Sequence, residues 1–177
     1  MAKLILSSFI ILTAQLVLAQ KIKKDEVDKF LGTHIIETSW EPIFKEDKLG
    51  GSKWWNVRIR KIDELMILDC KFIMNSSVFS VNEKSPLMIL FTNGDKVELY
   101  PDKFEVTCEG CGATGNTYSG VPRLHVGYKL TDTQQKSLNL LAVEAFRLYT
   151  ADGYYEGEVK SANASNISAL INLVNKK

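Results

Sequence analysis

Apolar and polar residues alternate along most of the chain between Thr33 and Lys160, as expected for β-strands with one buried face. The pattern is clearest in residues 54–60, 65–74 and 124–130, where every second side chain is apolar. The side chains predicted to face the core in these strands are Trp55, Val57, Ile59, Met66, Leu68, Cys70, Phe72, Met74, Leu124, Val126, Tyr128 and Leu130.

Three other segments have weaker patterns. Residues 104–108 are expected to continue the alternation, with Phe104, Val106 and Cys108 inward and Glu105 and Thr107 outward. Residues 21–32 are charged and predict either a short helix or an ordered arm, and residues 41–52 predict a loop because they are polar and contain two adjacent glycines.

Two short turns predict β-hairpins. Asn93-Gly94 separates the apolar run 87–91 from residues 96–100, and Asp152-Gly153 separates 143–150 from 154–160. Asn-Gly tolerates the positive φ angles of a type I′ turn, so this turn type is expected at 93–94.

Helical signals occur only late in the chain. Thr131 and Gln134 have the spacing of a capping box, which predicts a short helix carrying Leu138 and Leu141. A second, amphipathic helix is predicted at the C-terminus, with its apolar stripe docked on the open face of the sheet. The stripe consists of Ile167, Leu170, Ile171 and Val174.

Together these elements predict an α+β protein with a mainly antiparallel β-sheet or sandwich, one short helix and a C-terminal amphipathic helix. The length of 177 residues and the 45% apolar content fit one core, so residues 20–177 are expected to form a single β-rich domain. The net charge of +1 argues against a nucleic-acid-binding surface, which needs clustered positive charge.

Residues 1–19 have the features of a signal peptide: Lys3, an apolar stretch, and Val17-Leu18-Ala19 as a relaxed cleavage site before Gln20. The chain is therefore expected to be exported to the periplasm or the extracellular space. No other apolar run is long enough to span a bilayer, so the mature chain is predicted to lack a transmembrane segment.

The three cysteines permit several interpretations. An exported protein can form disulfides, and Cys108 and Cys111 are the main candidates, with Cys70 as an alternative partner or as a buried free thiol. A redox pair of the CxxC type is a competing hypothesis, although the glycine-rich residues 112–116 do not favour the helix that lowers a thiol pKa. A structural zinc site would need ligands that the sequence does not pair.

The candidate binding surface combines an outward-facing Trp54 with Arg58 and Arg60 on the same strand face. The glycine-rich loop 108–120 is predicted to contribute to the same function. Its candidate binding residues are Gly112, Asn116 and Tyr118.

No coherent catalytic group is recognisable, and no catalytic residue, metal ligand or cofactor is predicted. His34 and His125 are the only histidines, and neither lies in a known nucleophile or zinc motif. A metal-dependent hydrolase using one of them is a third hypothesis, after binding and thiol–disulfide exchange.

Three stretches resemble small exported proteins of Bacteroidota. They are VDKFLGTHIIETSWE (27–41), LFTNGDKVELYPDKFEVTCEGCGATG (90–115) and YKLTDTQQKSL with FRLYTADGYYEGEVKSANA (within 128–164). The resemblance implies an exported β-rich protein and transfers no catalytic residue. The leading hypothesis is a non-enzymatic domain that binds an unidentified partner protein or small ligand in the cell envelope.

Overall fold

A computed structural model describes residues 21–49, 51–74, 78–109 and 122–177. The predicted signal peptide lies outside these residues. The strands are β1 (Ile22–Val27), β2 (His34–Thr38), β3 (Glu41–Lys48), β4 (Gly51–Ile62), β5 (Leu65–Met74), β6 (Ser80–Val81), β7 (Leu87–Phe91), β8 (Lys96–Leu99), β9 (Glu105–Val106), β10 (Cys108–Glu109), β11 (Pro122–Lys129), β12 (Val143–Thr150) and β13 (Gly153–Glu158). The helices are α1 (Asp132–Leu140) and α2 (Asn166–Asn175).

Every strand pair among the described residues is antiparallel. The larger sheet has the order β1-β2-β4-β5-β11-β10, with β3 also paired to β4, and the smaller sheet has the order β13-β12-β7-β8. Strands β6 and β9 form a separate two-stranded ladder. The predicted α+β, mainly antiparallel fold is confirmed.

The inner faces of the two main sheets share one hydrophobic core, and every side chain predicted inward on β4, β5 and β11 is buried in it. Phe146 of β12 connects the sheets, because its ring packs 4.8 Å from Trp55 and 5.2 Å from Phe44 between centroids. Trp55 in turn stacks on Phe72 at 5.7 Å. The alternation therefore identified this part of the core correctly.

The C-terminal helix α2 covers part of the larger sheet, as predicted. All four residues of its apolar stripe are fully buried, and the helix packs against β2, β3, β4 and α1. The side-chain amides of Asn163 and Asn166 donate to the carbonyl oxygens of Ile43 (3.3 Å) and Pro42 (2.8 Å). These bonds fix the start of the helix against β3.

Both predicted hairpins and the capping box of α1 are present. The turn type predicted at Asn93-Gly94 is wrong, because only Gly94 has a positive φ angle, of 88°. The Phe91 amide donates to Asp95, and the Gly94 amide donates to Phe91. This is a three-residue loop, a type I turn closed by a left-handed glycine.

Two segments form strands that the sequence pattern does not predict: residues 21–32 were expected to be a short helix or an ordered arm, and residues 41–52 a loop. Residues 22–27 form β1, which pairs with β2 alone among the described strands and is largely exposed, so its sequence has no apolar face from which a strand could be predicted. Residues 41–48 form β3, where the pairing register shifts between Pro42 and Phe44. The shift buries the adjacent Ile43 and Phe44 and interrupts the alternation.

The prediction for residues 104–108 is also wrong in orientation. Phe104 and Val106 are exposed, whereas Thr107 is buried. The Thr107 hydroxyl accepts a hydrogen bond from the Phe79 amide at 3.0 Å, and the Thr107 amide donates to the Phe79 carbonyl. A polar side chain is stable in this buried position because its hydrogen bond is satisfied.

Candidate functional site

The outer face of the larger sheet carries a connected group of charged and aromatic side chains. We call it the charged face and define it as Glu37, Trp40, Arg58, Arg60, Asp69, Lys71 and His125. It is assembled by β2, β4, β5 and β11, together with the link between β2 and β3.

Asp69 lies at the centre of the charged face. Its carboxylate accepts hydrogen bonds from Arg58 Nε (2.9 Å) and from Arg60 Nε and Nη2 (3.1 and 2.9 Å). Asp69 is only 1% exposed because the two guanidinium groups cover it. Three charge-assisted bonds to one carboxylate hold both arginines in fixed positions.

Gly127 provides space for this arrangement on the neighbouring strand. It pairs with Asp69 across β5 and β11. A Cβ atom at Gly127 would lie 3.1 Å from Asp69 Oδ1 and 3.2 Å from Ile67 Cγ2, closer than ordinary contacts. A glycine inside a strand is typical of positions where another group approaches the backbone closely.

Trp40 reaches the charged face because the β2–β3 edge contains one extra residue. Glu37 pairs with Arg60 and Glu41 pairs with Val57, so three residues oppose only two on β4. The Thr38 hydroxyl accepts a hydrogen bond from the Ile59 amide at 2.9 Å, which replaces a ladder bond. Such bulges redirect side chains and are common beside functional sites.

Three cationic or titratable groups surround the Trp40 ring. Lys71 Nζ lies 3.9 Å from the ring centroid and Arg58 Cζ lies 4.9 Å from it. The His125 ring meets Trp40 edge to face at 5.4 Å between centroids. Cation–π contacts of this kind stabilise positive charge beside the indole.

The carboxylates of the charged face are already occupied by arginine. Glu37 Oε2 accepts from Arg58 Nη1 at 2.6 Å, and Asp69 binds Arg58 and Arg60. Lys71, by contrast, has no carboxylate or hydrogen-bond partner among the described residues. The charged face thus has three permanent cations and two carboxylates, an excess of positive charge.

Lys71 and His125 are direct neighbours, because they pair across β5 and β11. Burial lowers the pKa of Lys71, and the nearby charges of Arg58 and Arg123 lower it further, while the Asp69 carboxylate acts in the opposite direction. Partial desolvation also lowers the pKa of His125, although the residue remains exposed; Asp69 opposes this shift and Lys71 adds to it. Both shifts have the same physical cause, because partial burial and the neighbouring cations disfavour the charged forms of Lys71 and His125.

A cleft of about 260 Å³ adjoins the charged face beyond His125. Its floor includes Gly127 with the Arg60–Asp69 pair. Its rim carries the ion pairs Lys129–Asp102 (2.8 Å) and Lys103–Glu105 (3.0 Å). The cleft therefore offers both hydrogen-bond donors and acceptors within reach of His125.

The structure brings Arg58 and Arg60 together as predicted, but Trp54 lies farther along β4. Trp54 Nε1 donates to Asp47 at 3.3 Å and its ring contacts Lys45, so it belongs to the β3–β4 hairpin. Gly112, Asn116 and Tyr118 lie outside the described residues. Strands β10 and β11, which flank this segment in sequence, pair at the edge of the same sheet.

Sequence reasoning did not select Trp40, Lys71 or His125 for this site. Alternation does place Lys71 and His125 on the polar faces of their strands. Their adjacency depends on which strands pair and in which register, and no local pattern in the sequence specifies that.

Cys70 is a free cysteine that is fully buried, and burial raises the pKa of its thiol. The side chain of Cys108 and the whole of Cys111 lie outside what the structure describes. The disulfide between them and the alternative redox function therefore stay predictions.

The other candidate groups lie elsewhere. His34 Nε2 contacts Asp25 Oδ1 at 2.8 Å on the β1–β2 pair.

Within the described ranges, no group of three or more His, Cys, Asp or Glu side chains is arranged to hold a metal ion, and no helix is long and apolar enough to cross a membrane. Comparisons with protein-family models, curated proteins and solved structures find no match.

Proposed function

We propose that this chain is an exported, non-enzymatic domain that binds a partner or small ligand in the cell envelope through the charged face. The export half of the proposal is supported by the signal-peptide pattern of residues 1–19. The binding half is supported by the side chains of the charged face.

The observation that carries the proposal is the un-neutralised positive charge beside Trp40. Lys71 is partly buried and faces Arg58 and His125, yet the nearby carboxylates are engaged by arginine. Desolvating a cation costs free energy unless an opposite charge compensates it. A bound anionic group would supply that compensation, so the arrangement favours binding over a purely structural role.

Native mass spectrometry of the protein purified from the cells that produce it tests this proposal. The wild-type chain should retain a non-covalent adduct, either a small molecule or a partner chain. Lys71→Gln should reduce the ratio of adduct-bound to free protein about ten-fold at the same ligand concentration, which corresponds to about 1.4 kcal/mol of binding free energy.

Lys136→Gln provides the matched control, because Lys136 is an exposed lysine on α1 and lies outside the charged face. It should retain the adduct at the wild-type level. An adduct that survives equally in Lys71→Gln, or the absence of any adduct on the wild-type protein, contradicts the proposal. Thermal unfolding of each variant separates loss of binding from loss of folding.

A further inference from the structure

We infer that the ligand is an acidic sugar: a hydroxyl-rich ring that carries a carboxylate or sulfate group. This inference rests on the proposed function and specifies the ligand class of the same site. The acidic group binds between Lys71 and His125, and the ring occupies the adjoining cleft.

The anionic group is assigned to Lys71 and His125 because their side chains are adjacent and available. Lys71 supplies an ammonium group, and His125 supplies a ring N–H from the next strand. Arg58 adds positive charge beside Trp40, and Glu37 and Asp69 hold its guanidinium in place. An oxyanion in this position meets two donors without displacing an existing ion pair.

The ring is assigned to the cleft because the cleft is polar and contains both donors and acceptors. Hydroxyl groups need both, since each hydroxyl donates one hydrogen bond and accepts others. The rim pairs Lys129–Asp102 and Lys103–Glu105 are between solvent-accessible side chains, so exchanging one of them for ligand hydroxyls costs little. A hydrophobic ligand would displace water from these ion pairs without replacing the hydrogen bonds that the water makes.

The size of the cleft limits the ligand to a small one. Its volume of about 260 Å³ is below the range of about 300–1,000 Å³ typical of pockets for drug-sized ligands. His125 lines the cleft and also contacts Trp40, so a single small molecule can reach both the cleft and the rest of the charged face. A longer acidic polysaccharide would place one sugar unit here.

Isothermal titration calorimetry at constant ionic strength tests the inference with five probes: galacturonate, galactose 6-sulfate, galactose, inorganic sulfate and acetate. At least one acidic sugar should bind about ten-fold more tightly than galactose and about ten-fold more tightly than its matching inorganic or simple organic anion. Lys71→Gln should weaken that binding about ten-fold, and Lys136→Gln should leave it unchanged.

Three results would overturn the inference. Galactose binding as tightly as the acidic sugars would exclude the anion site, and sulfate or acetate binding as tightly would exclude the contribution of the cleft. Failure of all five probes would exclude the ligand class. The proposed function fails separately: a native adduct that depends on Lys71 but is not an acidic sugar contradicts only this inference.

Discussion

Replacing Asp69 by Asn should lower the free energy of unfolding by about 3 kcal/mol, because it removes the negative charge shared by Arg58 and Arg60. Asp69 is 1% exposed and accepts three hydrogen bonds from these guanidinium groups. An asparagine amide keeps one acceptor but turns an NH₂ donor towards other donors. The remaining pair between Arg58 and Glu37 limits the loss. Urea unfolding at neutral pH measures the change.

Asp102→Asn is the matched control for this substitution. Asp102 pairs with Lys129 at 2.8 Å, but both side chains are about half exposed, at 49% and 55%. Solvent screens such a pair, so its loss should cost at most about 0.5 kcal/mol. Equal destabilisation by the two asparagine variants would contradict a central, buried role for Asp69.

Replacing Phe146 by Ala should lower the free energy of unfolding by about 4 kcal/mol, within the usual range for a buried phenylalanine. Phe146 is 3% exposed and packs against Phe44, Trp55 and Phe72, so it fills the space between the two main sheets. The cavity left by alanine cannot close easily because sheets resist local collapse. Guanidinium unfolding followed by tryptophan fluorescence measures the loss.

Phe104→Ala makes the same chemical change at an exposed position, since Phe104 is 59% exposed. It should destabilise the protein by less than about 1 kcal/mol. A larger effect at Phe104 than at Phe146 would support the inward orientation of residues 104–108 that the sequence pattern suggests, and would contradict the core described here.

The core strands were predictable because the residues of their inner faces alternate regularly in the sequence, although Ile67 and Asp69 on the outer face of β5 are also buried. In β4, β5 and β11 each inward position is apolar, and the pleat of a strand converts that alternation directly into a buried face. The stripe of α2 was predictable for the same reason, with a helical period. The local hydrophobic pattern is sufficient to predict a strand or helix when that element buries one face.

Other elements depend on long-range pairing. Strand β1 is largely exposed and is held in place by its hydrogen bonds to the edge of β2. In β3, the shift in register buries the consecutive residues Ile43 and Phe44. Thr107 is inward because the Phe79 amide supplies its hydrogen bond. A local sequence window contains none of these partners, so alternation gave the wrong result at these positions.

The candidate site was predictable only in part. Alternation along β4 places Arg58 and Arg60 on one face, and Asp69 and Lys71 occupy the polar positions of β5. His125 lies beside these residues only because the strands pair in the order β4-β5-β11. Trp40 lies beside them only because the link between β2 and β3 contains an extra residue. These are properties of the assembled sheet.

The titration of His125 reports most directly on whether the charged face binds an acidic group. The groups facing its ring are Lys71, Arg58, Arg60 and Asp69 on the sheet, together with Asp102, Lys103, Glu105 and Lys129 around the cleft. Burial lowers the pKa of His125, and the cations Lys71, Arg58 and Arg60 lower it further, while the carboxylate of Asp69 acts in the opposite direction. A bound anion favours the protonated ring.

The decisive measurement follows the imidazole NMR signals of both histidines from pH 8 to pH 4, with and without galacturonate or galactose 6-sulfate at constant ionic strength. We expect an acidic sugar to raise the midpoint of His125 and to cause no change at His34, which lies on the β1–β2 pair. An unchanged His125 midpoint with both sugars, or an equal rise at both histidines, would contradict specific binding of an acidic sugar at the charged face.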